Sequence, residues 1–307
     1  DASVQRKESS FNFAPEAYIY PGKEINLKLK HLLGFAGARA TVDTSAKKGI
    51  FYPLTMPYGT GANLGDSAIG LEPNMDREGA TKSQVWGGWR PNSCKISIKP
   101  PEDVLISFDG QGPGPFVGSP NQAETAGVLF PVAAPFSYSD VTYYIGAGAA
   151  RTGTAPDFTA IGPGTMFQFK PDGMDITITS GLEDQFQGDG IRGKTKSERT
   201  KQFLVEAEFT IDFRDPSSEF SSIDQFEALF TGPQTTSLMV VMDNGQLAGA
   251  ATENYKWILD IPLAQVTCES PEPDNEGKQV KAKFKLTRLV DAAVVYPFAI
   301  MTVDKAA

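Results

Sequence analysis

A single histidine, two cysteines and the lack of any long apolar run remove most familiar functions from this 307-residue chain. His31, in Lys30-His31-Leu32-Leu33-Gly34, has no second histidine with which to share a metal and stands in no nucleophile motif. The common zinc and histidine-dependent hydrolase arrangements therefore lack their usual carrier. Cys94 and Cys268 are too few for a disulfide framework, and both read as small buried apolar residues beside strands rather than as a bridge. No stretch approaches the ~18 consecutive apolar residues of a membrane helix. The opening Asp1-Ala2-Ser3-Val4-Gln5-Arg6-Lys7 has neither an apolar signal region nor an initiator methionine, which reads as a first residue trimmed or left out. Basic charge is short too. With 37 acidic against 28 basic residues, the net charge of −9 is the opposite of what counterion release on DNA requires. It suits a dispersed protein, or a surface that DNA slides past.

Motifs that carry chemistry are equally scarce. Gly110-Gln111-Gly112-Pro113-Gly114-Pro115 lacks the Lys and Ser/Thr of a phosphate loop. Asp172-Gly173, Asp189-Gly190 and Asn244-Gly245 fail the spaced ligand pattern of a calcium loop. Asp243-Asn244-Gly245 reads instead as a tight hairpin turn, because Asn-Gly supplies the positive backbone angles such a turn needs. Asp172, Asp175, Glu183 and Asp184 contain enough carboxylates for a glycosidase pair, but strand-face carboxylates are ordinarily solvated. Trp86, Trp89 and Tyr143-Tyr144 are candidates for a sugar platform, weighed against plain aromatic packing. The expectation is no enzyme, no cofactor and no metal.

What the chain does have is alternation. Apolar and polar residues change places at a period of two in Ile25–Leu29, Cys94–Lys99, Val104–Phe108, Met166–Phe169, Met174–Thr179 and Phe203–Phe213. The same pattern returns in Ser237–Met242, Tyr255–Ile261, Gln279–Leu286 and Phe298–Val303. These are half-buried strands. Their Lys, Ser, Thr and Glu faces are wet, which antiparallel sheets tolerate and buried parallel sheets do not. One helix follows the long strand: Ser222 is the expected cap with Gln225 three residues on, Ile223, Phe226, Leu229 and Phe230 form its apolar stripe, and Gly232 ends it. It is expected to cover a sheet face or a barrel mouth. Thirty glycines and 22 prolines punctuate the rest, and four long loops are expected at 46–92, 110–138, 146–164 and 181–202. The expected fold is all-β, an antiparallel sandwich or barrel with one covering helix. One domain spans 1–307, with an extended arm over about 1–20; at this length two domains are also possible.

Four stretches, taken in order, resemble the tail tube proteins of long-tailed, non-contractile bacteriophages. They are Lys23–Gly34, an early strand running into a short Leu-Gly segment; Trp89–Ile98, with its Cys-x-Ile-x-Ile strand; Pro135–Tyr138 followed by Phe169–Ile178; and the ending. In the ending, Trp257–Cys268 precedes an acidic turn at Pro271–Gly277, the Val280–Ala293 stretch and a last strand. The similarity is one of order and spacing over nearly the whole length.

The resemblance implies a β-sandwich whose sheet joins those of its neighbours in a ring, usually of six copies, with rings stacked into a tube through which DNA passes unbound. It also implies the other tail proteins as partners: tape measure, tail terminator and distal tail. The location implied is the virion tail, assembled in the host cytoplasm. The faces carrying Lys95, Ser97 and Lys99, or Glu206, Glu208 and Thr210, are then expected to line the lumen or face solvent, and the lumen is expected to be acidic. The charged loop with Asp184, Asp189, Arg192, Lys194, Lys196 and Arg199, together with the first ~20 residues, is expected to meet neighbouring rings. A head-decoration or a receptor- or carbohydrate-binding virion protein is the alternative.

Overall fold

The computed structural model describes residues 10–13, 16–21, 28–29, 32–33, 40–41, 46–51, 69–71, 74–77, 80–83, 86–113, 133–155, 157–185, 196–199, 201, 203–216, 220–248, 253–273 and 280–305. The first third of the chain forms β1 (Ser10–Phe13), β2 (Glu16–Tyr18), β3 (Ala40–Thr41), β4 (Ala46–Phe51), β5 (Ile69–Leu71), β6 (Asn74–Arg77), β7 (Ala80–Ser83), β8 (Trp86–Ile98) and β9 (Leu105–Pro113). The middle adds β10 (Val141–Ile145), β11 (Ala150–Thr154), β12 (Asp157–Gly162), β13 (Phe167–Phe169), β14 (Gly173–Thr179), β15 (Leu182–Gln185), β16 (Lys196–Arg199) and β17 (Leu204–Asp212). A helix, α1 (Ser222–Thr231), leads into β18 (Gln234–Leu247), β19 (Asn254–Cys268), β20 (Glu272–Pro273), β21 (Val280–Arg288) and β22 (Ala299–Lys305). The fold is all-β, and every strand pairing among the described residues is antiparallel.

The main sheet runs β1-β9-β8-β14-β17-β21-β19-β18-β10-β13, with β22 and β4 branching from β19. The branch exists because β19 changes partners along its length. Lys256–Asp260 pairs with β22, whereas Ala264–Cys268 pairs with β21. Between these halves β19 carries one more residue than β18, at the register shift between Thr236 and Leu238. Pro262 sits at this bulge, where its missing N–H breaks no ladder bond. Its carbonyl accepts the Ser237 hydroxyl at 2.6 Å. The extra residue also shifts the phase of alternation: Trp257, Leu259 and Ile261 face the core, and so do Ala264 and Val266.

The main core is the sum of the inward sets. Ile96 and Ile98, Met174, Ile176 and Ile178, Val205, Ala207, Phe209 and Ile211, and Ala282, Phe284 and Leu286 meet Val240, Met242, Trp257 and Ile300. Each large side chain of this kind contributes about 1.5–3 kcal/mol when fully buried. Phe209 bridges the layers, 5.1 Å from Phe169 and stacked on Phe284 at 5.7 Å. The helix lies at the end of this core. Phe220 touches both Phe169 and Phe284, and Leu229 packs against the cluster.

The structure corrects several expectations. The cap of α1 is Ser221, whose Oγ accepts the Asp224 N–H at 3.0 Å. Ser222 lies one residue inside, buried, and its hydroxyl donates to the carbonyl of Asp212. Of the expected stripe, Phe226 meets Phe213 edge-on, Ile223 is half-buried and Phe230 is 77% exposed. The 46–92 loop contains β4 through β7 and the first half of β8, and the 110–138 loop begins inside β9. The loops 146–164 and 181–202 hold the hairpins β11–β12 and β15–β16. Within the expected arm, β1 and β2 pair with β9, and residues 1–9 lie outside the described residues. In the expected strand Ile25–Leu29, Lys28 and Leu29 are helical. Asp243-Asn244-Gly245 is an irregularity within the β18–β19 ladder rather than the reversal, which comes where the Ala248 N–H meets the Glu253 carbonyl.

Candidate assembly surfaces

The broad sheet built from β8, β14, β17, β21 and the end of β19 has one apolar face and one wet face, as strict alternation requires. On the wet face the two middle strands, β14 and β17, carry carboxylates, and the strands outside them, β8 and β21, carry lysines. Lys95 on β8 meets Asp175 on β14 at 3.0 Å, and the Ser97 hydroxyl reaches the same carboxylate at 2.6 Å. Glu206 and Glu208 on β17 face Lys285 and Lys283 on β21, with the shortest contact 2.7 Å from Lys285 to Glu206. Lys283 also meets Glu269 at 3.1 Å, and Lys281 meets Asp172 at 2.8 Å. The two wet sets expected from the sequence thus share one surface, and each is met by a neighbouring strand: Lys95 by Asp175, Glu206 and Glu208 by Lys285 and Lys283. Each pair is solvated and contributes little to stability. Together they fix a face whose charges are already satisfied.

This arrangement argues against acid–base chemistry here. Burial works to raise the Asp175 carboxyl, but hydrogen bonds from Ser97 and Lys95 prevail and hold it below the usual range. Its hydrogen-bonding partners keep it ionised, the opposite of a general acid. A hydrogen bond from Lys283 to Glu269, with the nearby Glu208 charge, raises the lysine's own pKa, as Glu206 does for Lys285. Glu208, Thr267, Cys268, Glu269, Lys283 and Lys285 line a shallow depression of about 130 Å³ on this face. Burial and then Glu269 push the Cys268 thiol up to about 11, so it is not a ready nucleophile.

The second sheet region, around β18, the first half of β19 and β22, has no wet face of comparable extent. Its outer side carries a second apolar cluster, in which Met239, Ile258 and Met301 are covered by Ile161, Val294 and Tyr296. The β11–β12 hairpin lies here, with Phe158 edge-on to Tyr296 at 5.9 Å. One ion pair pins it. Arg151 donates Nε and Nη2 hydrogen bonds to the two oxygens of Asp260, each at 2.8 Å, and the Tyr296 hydroxyl adds a third at 2.7 Å. Asp260 is fully buried. Burial and the Asp260 charge drive the Tyr296 hydroxyl well above its ordinary pKa. At the neck of the hairpin, Gly148 and Gly164 both have positive φ, and a side chain on Gly164 would collide with the Gly148 carbonyl. The sequence reading did not single out Arg151, Asp260 or Tyr296. Within an alternating strand Asp260 looks like one more solvated residue.

Among the described residues β13 pairs only with β10, and β1 only with β9. Phe167, on β13, is 55% exposed. Of the six charged residues expected to meet other subunits, Asp184, Lys196 and Arg199 lie on the β15–β16 hairpin, which places Asp184 opposite Ser197 and Arg199 opposite Leu182. Asp189, Arg192 and Lys194 lie outside the described residues, as does His31. Of the sugar-platform candidates, Trp89 is fully buried and Tyr143 packs on Phe169 inside the core, while the side chain of Trp86 lies outside the described residues. Cys94 and Cys268 are both free thiols. Among the described residues no group of three or more ligating side chains is placed to hold a metal, and no helix is long and apolar enough to cross a membrane.

No family model matches the chain, and no curated protein matches it either.

Proposed function

We propose that the chain is a structural subunit of a phage tail tube, assembling side by side into rings that stack around a DNA conduit in the virion. The observation that carries this reading is the pair of sheet edges, β1 and β13, each with one strand partner among the described residues. Strand edges with unspent N–H and C=O groups are an aggregation hazard unless another strand completes them, and cyclic assembly of identical copies completes every one. The wet face supports the same reading. A channel lined by it presents DNA with lysines already engaged by carboxylates, so few cations remain to exchange for phosphates. In place of the acidic lumen expected from overall charge, such a lining is balanced pair by pair. Tape-measure, terminator and distal tail proteins are the partners this role calls for. The carbohydrate-binding alternative loses ground, because Trp89 offers no exposed ring.

Negative-stain microscopy of the purified, concentrated protein tests the proposal. Rings or rods are expected, whereas monomers or isolated trimers at every concentration would point to a decoration protein. Replacing Arg192, Lys194 and Arg199 by Ala is expected to impair rod growth, and unchanged growth would remove the charged hairpin from the assembly surface.

A further inference from the structure

Laid over the second apolar cluster, the β11–β12 hairpin forms a sheet of its own. Among the described residues each of its strands pairs only with the other, although β10 and β13 of the main sheet flank it in the chain. Its ladder is complete within itself, so lifting it breaks no strand pairing elsewhere. Its outer side is wet, with Ala150, Thr152 and Thr154 exposed. Its inner side places Ile161 and Phe158 in one cluster with Met239, Ile258, Met301 and Tyr296.

Short connections, 146–149 and 163–166, join the hairpin to β10 and β13. Within them Gly146, Gly148 and Gly164 have φ of +98°, +105° and +55°. Glycine passes between such angles and extended backbone at little cost, which makes both connections suitable hinges. The Thr165 N–H donates to the Gly148 carbonyl at 3.0 Å and ties one connection to the other. Beyond them Ile145 and Phe167 are paired across β10 and β13, so a swing of the hairpin ends there.

The polar fastening between hairpin and sheet runs from Arg151 on β11 to Asp260 on β19, joined by Tyr296 from the strap before β22. Lifting hydrates both charges together, and so escapes the penalty of leaving one of them buried alone. The strap is itself strained. Val295 has φ of +71°, a left-handed angle that a β-branched residue rarely adopts, and its neighbours Val294 and Tyr296 are both buried in the second cluster. Such strain persists only while the surroundings hold it, and Phe158 of the hairpin, edge-on to Tyr296, is part of those surroundings.

We infer that the β11–β12 hairpin is a hinged cover that lifts and reseats as one unit while the main sheet stays folded, latched by Arg151, Asp260 and Tyr296. Segments with few buried apolar contacts and a ladder exposed to water open below the free energy of global unfolding. When the cover lifts, Met239, Ile258 and Met301 meet solvent. The motion belongs to the single chain and is independent of the tube reading.

The test uses the full chain with Cys268→Ser, which leaves Cys94, buried in the main core, as its one native thiol. Met239→Cys adds a second thiol beneath the hairpin, with Met301→Cys in its place should that variant fail to fold by circular dichroism. Iodoacetamide labelling is followed at each thiol by peptide mass and scaled to its rate in urea. The covered thiol is expected to react about tenfold faster than Cys94, or more. Ile211→Val, in the main core, is expected to speed Cys94 several-fold and leave the covered thiol unchanged. Arg151→Met is expected to speed the covered thiol by about tenfold or more, since lifting then lets water reach Asp260. A common rate for the two thiols, a covered thiol that follows Ile211→Val as Cys94 does, or one indifferent to Arg151→Met would overturn the hinged cover.

Discussion

The two halves of β19 are a controlled comparison within one strand. From Tyr255 to Ile261 every residue except Lys256 is buried, because the core lies on one side and the β11–β12 hairpin with Tyr296 covers the other. From Ala264 to Thr267 burial alternates, and Gln265 and Thr267 meet water. The same backbone conformation is thus wrapped in one half and half-open in the other. What differs is the cover laid over it, and that cover comes from segments far away in sequence.

The largest effect is expected at the buried charge. Asp260→Ala strands the Arg151 guanidinium and the Tyr296 hydroxyl, and a loss of about 3–5 kcal/mol is expected in urea denaturation. Replacing all three, Arg151→Met, Asp260→Leu and Tyr296→Phe, should recover most of that loss, because apolar groups of similar volume need no partner. Next comes Ile258→Ala on the covered side, expected to cost about 2–5 kcal/mol. Asp175, on the open sheet, and Asp243 give a smaller effect seen in acid. Opposing burial, Ser97 and Lys95 lower the Asp175 carboxyl, and the Gly245 N–H with Lys256 lowers that of Asp243. A carboxyl depressed on folding stabilises the protein above its unfolded pKa, near 3.8. That stabilisation is lost as pH falls below this value through the folded one. Melting temperature should therefore drop below about pH 4, and Asp175→Asn should flatten part of the slope. Smallest is Thr267→Ala on the open half, expected within about 0.5 kcal/mol of wild type. A cost there matching that of Ile258→Ala would abolish the contrast.

The half-open strands were legible because their own side chains record the environment. Cys94–Ile98, Met174–Thr179, Leu204–Asp212 and Val280–Leu286 alternate in sequence and lie in strands β8, β14, β17 and β21. The missed strands hide their signal. Trp86–Asn92 holds two glycines and Pro91, which the sheet accommodates at the irregularity between Pro91 and Ser93. The first strand of the β11–β12 hairpin, Ala150-Arg151-Thr152-Gly153-Thr154, has no large apolar residue and so no apolar period of its own. Its partner Asp260 follows the polar phase of its strand, and only the hairpin above it turns a wet position into a dry one. The helix was visible from Ile223, Phe226 and Leu229, but two adjacent serines left its cap ambiguous by one residue. The rims of the sheet cannot be read from sequence at all, since whether a strand has one neighbour or two depends on pairing and not on composition.

The bulge at Pro262 makes the strand a sentence with one inserted syllable. Remove Leu263, and Ile261 and Ala264 come to stand two positions apart, as an unbroken pleat requires, opposite Leu238 and Thr236 as before. Ala264 and Val266 would keep to the core, and Gln265 and Thr267 to water. Remove Gln265 instead, beyond the bulge, and Val266 would turn to water and Thr267 toward the core, so that the same loss two residues further on turns the far half of the strand inside out.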